Sequence, residues 1–150
     1  MKMVMIDETR LDAKVIDIRP QEIKERLMEK MPEMRCIGSC GRIIGGKEFD
    51  ISHDDEFLFH RYNFTGICEN GQEILMGTLI ISAYKDDDDY TDEDDTEDGD
   101  WGLRDLTDEE IDIILKAWHP IGPELAERYC REVSPDCLFM MGSNALHYEW

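Results

Sequence analysis

Carboxylates are the side chains of this 150-residue sequence whose number and spacing most strongly suggest chemistry, and they are concentrated in one stretch. Eleven of the fifteen residues 86–100 are Asp or Glu, and none is Lys or Arg. Further acids follow at Asp105, Asp108, Glu109, Glu110 and Asp112. Because like charges repel one another and resist ordering, we expect 86–100 to be a flexible acidic loop within a single domain that spans 1–150.

Part of this acidic loop has the spacing of a calcium-binding loop, with Gly99 where such a loop must turn. The first, third, fifth, seventh and closing twelfth positions fall on Asp94, Thr96, Asp98, Asp100 and Asp105. Threonine at the third position and aspartate, shorter than the usual glutamate, at the twelfth both depart from the pattern. The preceding segment is also predicted to be a strand, where an EF-hand has a helix. Calcium binding is therefore an alternative function.

A run of carboxylates interleaved with aromatic rings can imitate the phosphates and stacked bases of a nucleic acid. The chain has 36 acidic and 16 basic residues, and its net charge of −20 repels nucleic acid and anionic membranes while attracting basic proteins. We therefore predict a non-enzymatic inhibitor, without a cofactor, that blocks a basic, nucleic-acid-binding protein. The predicted partner-contacting residues are Asp86, Asp87, Asp88, Asp89, Tyr90, Asp92, Glu93, Asp94, Asp95, Glu97, Asp98, Asp100, Trp101, Asp105, Asp108, Glu109 and Asp112.

The thiols and histidines are spaced too irregularly to indicate a metal or catalytic site. Zinc at Cys36 and Cys40 would need Cys68, Cys130, Cys137 or His53 to complete a tetrahedral set, and structural zinc sites usually have two closely spaced ligand pairs. We expect free, buried thiols instead. No sequence signature of a nucleophile accompanies the remaining histidines, which are His60, His119 and His147.

The glycine-rich stretch from Gly41 to Lys47 resembles a phosphate-binding loop only in its spacing. Glu48 stands where the loop needs a hydroxyl for magnesium, and the residues that follow are typical of a strand rather than a helix. A tight turn at Gly45-Gly46 between two strands explains the stretch better.

Three helices are predicted from proline positions, capping residues and apolar periodicity. The first covers 20–31, with Ile23, Leu27, Met28 and Met31 on one face. Thr107 and Glu110 form a capping-box pattern that begins the second, whose apolar stripe is predicted to include Leu115 and Trp118 and which ends at Pro120. The third begins at Gly122-Pro123.

Strands occupy the region between the first helix and the acidic loop. One hairpin turns at Gly45-Gly46, and a second runs from 57 to 84 with its turn at Asn70-Gly71. A further short strand is predicted over 137–141. The predicted core residues of the sheet are Phe57, Phe59, Phe64, Ile67, Ile74, Leu79, Ile80 and Ile81. The fold class is α+β, an antiparallel meander of four to five strands with three helices on one face.

In size, charge and lack of a catalytic signature the chain resembles small acidic inhibitors. This class includes the nucleic-acid mimics that phages use against restriction or CRISPR nucleases and the immunity proteins that neutralise basic nuclease toxins. The resemblance lies in composition and identifies neither a target nor an oligomeric state. An enzyme whose site is assembled from residues that are distant in sequence is a further alternative. Without an apolar leader or spanning segment, and with an odd number of cysteines, the protein is expected in the cytoplasm.

Overall fold

The computed structural model describes residues 1–7, 12–56, 64–68, 75–85, 102–120 and 137–140, and gives only the backbone of 64–68, 76, 118–120 and 137–140. The main sheet contains β1 (Lys2–Asp7), β2 (Asp12–Asp17), β3 (Ile37–Ile44), β4 (Lys47–Asp54), β7 (Leu79–Tyr84) and β8 (Leu103–Arg104). The second sheet contains β5 (Phe64–Cys68), β6 (Leu75–Met76), β9 (Trp118–Pro120) and β10 (Cys137–Met140). A 3₁₀ turn (Pro20–Glu22) leads into α1 (Ile23–Lys30), and α2 is Asp108–Ala117. The α+β class is confirmed.

The main sheet has the strand order β2-β1-β7-β4-β3, with β8 paired to the end of β7, and all these pairs are antiparallel. The predicted meander is wrong, because β7 lies between β1 and β4 and so joins two hairpins that are distant in sequence. The second sheet has the order β6-β5-β10-β9, and β9 and β10 are parallel. The strand predicted over 137–141 is confirmed as β10.

The first two strands were not predicted from the sequence. Met3, Val4, Met5 and Ile6 of β1 are fully buried, and β1 is hydrogen-bonded on both sides, by β2 and β7. A short run that is apolar on both faces lacks the alternation of a half-buried strand, so its periodicity does not distinguish a strand from a helix. Its burial on both faces makes β1 a central strand of the sheet.

The hairpin at Gly45-Gly46 is confirmed. Ile44 pairs with Lys47, and the two glycines between them have φ angles of 58° and 80°. Positive φ at both central residues is what a two-residue turn requires to match the twist of its strands. The stretch from Gly41 to Lys47 is therefore a strand and its turn, as the sequence predicted in place of a phosphate-binding loop.

The hairpin predicted over 57–84 is only partly correct. Strands β5 and β6 do pair, but Thr65 lies opposite Leu75, one residue away from the register that a two-residue turn at 70–71 would produce. After β6 the chain passes through Gly77, whose φ is 90°, and continues as β7 in the other sheet. The glycine breaks what the apolar pattern predicted as one strand. The turn at 70–71 lies outside the described residues.

The two described helices lie against opposite faces of the main sheet, which corrects the prediction that all helices pack on one face. Alternate residues of a strand face opposite sides, and Met3 and Met5 of β1 cluster with Ile23 and Leu27 of α1. Their neighbours Val4 and Ile6 cluster instead with Ile114 of α2. The predicted third helix, from Gly122, lies outside the described residues.

The predicted helix faces are correct at their centres and wrong at their edges. Ile23, Leu27 and Met31 are buried as expected, whereas Met28 is 39% exposed. In α2 Ile114 is buried, but Leu115 is 39% exposed and the helix ends at Ala117, so Trp118 belongs to β9 instead. Among the predicted sheet residues Leu79, Ile80 and Ile81 are fully buried. The side chains of Phe57, Phe59, Phe64, Ile67 and Ile74 lie outside the described set.

Candidate functional site

The two ends of the acidic loop are joined by the pairing of β7 with β8. Tyr84 lies opposite Leu103, and the Lys85 N–H donates a hydrogen bond to the Gly102 carbonyl at 2.8 Å. Gly102 has a φ of 75°, a conformation that is strained for other residues. Residues 86–101, which include most of the predicted partner-contacting residues and the predicted flexible loop, lie outside the described residues. Their attachment points are therefore neighbouring backbone positions at the end of β7, a central strand of the main sheet.

The remaining predicted partner-contacting residues follow β8 closely and are all exposed: Asp105, Asp108, Glu109 and Asp112. Asp112 forms an ion pair with Lys116 one helical turn later, at 2.7 Å. Asp108 and Glu109 have no ion pair with any described residue. They lie in the first turn of α2, where the positive end of the helix dipole stabilises carboxylates, so the helix accommodates the two free charges.

Asp105 has a structural role that bears on the calcium alternative. Its Oδ1 accepts the backbone N–H of Lys2 at 2.7 Å, which ties the segment before α2 to the start of β1. A closing calcium ligand uses both carboxylate oxygens, and one of these is engaged here. Within the described residues no three His, Cys, Asp or Glu side chains are grouped as metal ligands. The other predicted calcium ligands, Asp94, Thr96, Asp98 and Asp100, lie outside that part of the chain.

The sequence predicted only part of the role of Glu110, namely its place in the capping box. The capping box is confirmed, since Thr107 Oγ1 accepts the Glu110 N–H at 3.1 Å and Glu110 Oε1 accepts the Thr107 N–H at 2.9 Å. In addition, Arg104 binds both carboxylate oxygens, at 2.6 and 3.0 Å. Lys47 contributes a second cation, 2.7 Å from Oε2.

These contacts neutralise Glu110 and fix the start of α2. The carboxylate is 1% exposed, and the hydrogen bonds from Arg104 hold the pKa of Glu110 far below its ordinary value, with Lys47 and the Thr107 amide adding to the effect. A buried carboxylate that is both paired and hydrogen-bonded in this way is stable, whereas its removal would leave two cations uncompensated. Helix α2 therefore begins at an anchor in which one buried carboxylate binds two cations. The charges of its first turn that have no ion pair among the described residues are those of Asp108 and Glu109.

A second polar cluster, which the sequence did not indicate, lies on the α1 side of the main sheet. Asp50 of β4 is 6% exposed and accepts a hydrogen bond from the Tyr84 hydroxyl at 3.1 Å. The Ser82 hydroxyl lies 3.5 Å from its other oxygen. Burial raises the pKa of Asp50, although the two hydroxyl donors oppose the rise. No sequence motif indicates this cluster, because its residues are brought together by the pairing of β4 with β7.

The thiols that fall within the described residues are not grouped with other metal ligands. Neither Cys36 nor Cys40 is in a disulfide. Cys36 is exposed and Cys40 is half-buried, so the prediction of a buried thiol is wrong for Cys36. The Nδ1–H of the buried His53 donates a hydrogen bond to the Asp54 carbonyl at 2.9 Å. The side chains of Cys68, Cys130, Cys137, His60, His119 and His147 lie outside the described residues.

Compared with models of protein families, with curated proteins and with solved structures, the chain gives no match. No helix among the described residues is long and apolar enough to cross a membrane.

Proposed function

We propose that this protein is a non-enzymatic acidic inhibitor that blocks a basic, nucleic-acid-binding protein by presenting carboxylates where that partner would hold phosphates. The interaction surface comprises the acidic loop, 86–100, and the first turn of α2. One observation carries the proposal: Asp108 and Glu109 are exposed and free of ion pairs among the described residues, and they follow closely after the strand pair that joins the ends of the acidic loop.

The rigidity of this turn supports the proposal. A partner that binds a mobile charge must order it, and that ordering costs roughly 0.5–1.5 kcal/mol for each long side chain. The capping box and the pair of cations on Glu110 already fix the backbone that carries Asp108 and Glu109. The fixed charges therefore supply the specific contacts, and the net charge of −20 accelerates the encounter with a basic surface.

The proposal is tested by capturing partners on the immobilised protein and measuring the affinity of each purified partner with and without duplex DNA. The expected partner is basic, is displaced by DNA, and dissociates as salt rises, since the attraction between exposed charges is screened. Calorimetric titration with calcium in the same buffer tests the alternative function, which is calcium binding. Stoichiometric calcium binding that alters partner affinity would favour the calcium-binding module.

Charge-matched variants assign the interaction to its surface. Asp108→Asn with Glu109→Gln removes two charges from the first turn of α2 and is expected to weaken partner binding. Glu25→Gln with Glu33→Gln removes two exposed charges near α1, on the opposite face of the sheet, and is the control that should bind normally. Neutralising Asp92, Glu93, Asp94 and Asp95 should slow association and reduce its salt dependence. Affinity that survives deletion of 86–100 together with the α2 variant would contradict the proposal.

A further inference from the structure

A cavity of about 350 Å³ lies on the α1 side of the main sheet, between the first residue of α1 and strands β3, β4, β7 and β8. Ile23, Ile37 and Leu103 form its apolar wall. Asp50, Ser52 and Tyr84 provide its polar wall. Cavities of this size hold small organic ligands, and they typically combine apolar walls with a few fixed polar groups.

Asp50 is the anionic group of this cavity, and it has capacity for a further partner. A carboxylate offers roughly four acceptor positions. The hydroxyls of Tyr84 and Ser82 account for one on each oxygen, at 3.1 and 3.5 Å. No lysine, arginine or histidine is among the described residues that line the cavity. Burial raises the pKa of Asp50 and outweighs the charge of His53, on the same strand, which lowers that pKa. Burying a carboxylate is costly, and a cationic ligand would relieve that cost.

Ser52 contributes a second polar group to the same wall. The residue is 4% exposed and lines the cavity two positions after Asp50, and alternate residues of a strand face the same side. A serine hydroxyl both donates and accepts hydrogen bonds. This face of β4 therefore offers a ligand a carboxylate and a hydroxyl.

We propose that this cavity binds a small molecule with a primary ammonium group on an apolar stem. The ammonium donates hydrogen bonds to Asp50 and Ser52, and the stem packs against Ile23, Ile37 and Leu103. An anionic ligand would be repelled by Asp50. Among the described lining residues a divalent cation would find one carboxylate, that of Asp50, far short of the oxygen set that such ions require. The ammonium group matches this carboxylate in charge.

This inference is independent of the proposed function. It uses no residue of the acidic loop or of α2, and its site lies on the other face of the sheet from α2. The strongly negative protein attracts every cation weakly, so the experiment must separate the cavity from the acidic surface. Three matched probes achieve this: cyclohexylmethylamine, its neutral analogue cyclohexylmethanol, and the anion cyclohexanecarboxylate.

The probes are titrated into the ¹⁵N-labelled full-length protein at neutral pH and an ionic strength of about 0.15 M, where exposed charges are screened beyond about 8 Å. The amine is expected to shift the backbone amides of Asp50, Ser52 and Tyr84 in a saturable way. The alcohol should bind at least about tenfold more weakly, since a hydrogen bond to a charged group contributes about 1.5–3 kcal/mol. The carboxylate should not bind.

Two variants test whether the amine binds at Asp50. Asp50→Asn keeps the side-chain volume and an acceptor for the Tyr84 hydroxyl, so the variant should fold; it should lose amine affinity about tenfold or more. Ser39→Arg, at the exposed mouth of the cavity, should also weaken the amine by adding a competing cation, and it decides the question if Asp50→Asn does not fold. Glu109→Gln is the surface control and should bind as the wild type does.

The inference is overturned if the alcohol binds as tightly as the amine, or if Asp50→Asn or Ser39→Arg retains full affinity. Amine-induced shifts confined to amides outside the cavity would overturn it equally. Saturable shifts at Asp50 and Ser52 that both variants abolish, with Glu109→Gln unaffected, would establish the site.

Discussion

Glu109 and Glu110 are consecutive glutamates in the same helical turn, and the fold gives them opposite surroundings. Glu109 is exposed and has no ion pair among the described residues. Glu110 is 1% exposed and is bound by Arg104, Lys47 and the Thr107 amide. A helix advances each residue by about 100°, so neighbouring side chains leave it in very different directions. One carboxylate therefore holds the fold together while the next is free to meet a partner.

This contrast predicts very different effects of the same substitution. Glu110→Gln should lower the free energy of unfolding by about 3 kcal/mol, because it leaves two cations without their buried partner. Glu109→Gln removes the same charge from the surface and should change stability by less than about 0.5 kcal/mol. Urea unfolding at neutral pH measures both. Similar losses in the two variants would show that the ion cluster does not anchor α2.

The same cluster predicts how stability depends on acid. The pKa of Glu110 is lowered in the folded state below the ordinary value of 4.5. Its contribution is therefore complete above that ordinary value and is lost as pH falls below it towards the lowered folded pKa. Thermal melts across the acid range should converge for wild type and Glu110→Gln as pH falls. A constant difference at every pH would contradict the assigned role of the carboxylate.

At the scale of elements, the hairpin between β3 and β4 connects both faces of the sheet. Its strands carry Asp50 on the α1 side and Phe49 and Ile51 in the cluster below α2. Its turn approaches α2 closely, since a Cβ built on Gly45 would lie 2.7 Å from Cγ2 of Ile113. Lys47, the first residue after the turn, reaches Glu110. The turn therefore docks the start of α2 as well as reversing the chain.

Alanine at each of the two turn glycines separates backbone strain from docking. Gly46→Ala meets no atom within 4 Å and should lose only the strain of its positive φ, roughly 1–2 kcal/mol. Gly45→Ala adds a clash with Ile113 and should lose about 1–3 kcal/mol more. Chemical unfolding of the two variants is the measurement. Equal losses would mean that the turn does not contact α2 as described.

At the scale of the whole molecule, acidic residues greatly outnumber basic ones, and some of the cations are used in the interior. Among the buried carboxylates Asp7 pairs with Lys30 at 3.1 Å and Glu110 pairs with Lys47 and Arg104, whereas Asp50 has no lysine or arginine partner among the described residues. Few cations remain to offset the other acids, and the net charge is −20. Repulsion among exposed charges destabilises the compact state, whereas buried pairs are screened little by salt.

The molecule should therefore be stabilised by salt. Raising ionic strength from about 0.01 M to about 0.15 M shortens the screening length from about 30 to about 8 Å, and the melting temperature should rise. Sodium chloride and choline chloride should act alike, because screening needs no specific ion. A melting temperature that falls with salt would indicate that exposed ion pairs outweigh the repulsion, and a rise with sodium alone would indicate a specific cation site.

The sequence by itself determined the features that depend on a few neighbouring residues. Pro20 begins the first helical segment, the capping box of Thr107 and Glu110 begins α2, and Gly45-Gly46 forms the tight turn. Each is encoded by groups within one turn of chain, where capping hydrogen bonds and allowed φ angles suffice to specify the structure. The concentration of acidic residues that motivates the proposed function can also be recognised from the sequence, because charge is a property of composition.

Only the tertiary structure decided which distant segments meet. The insertion of β7 beside β1 and β4, the opposite faces of α1 and α2, and the break at Gly77 all follow from which apolar surfaces pack together. The same packing brings Lys47 to Glu110, and Tyr84 to Asp50. Such pairings depend on sheet order and register, which local periodicity leaves open, because a strand that is apolar on both faces can accept several neighbours equally well.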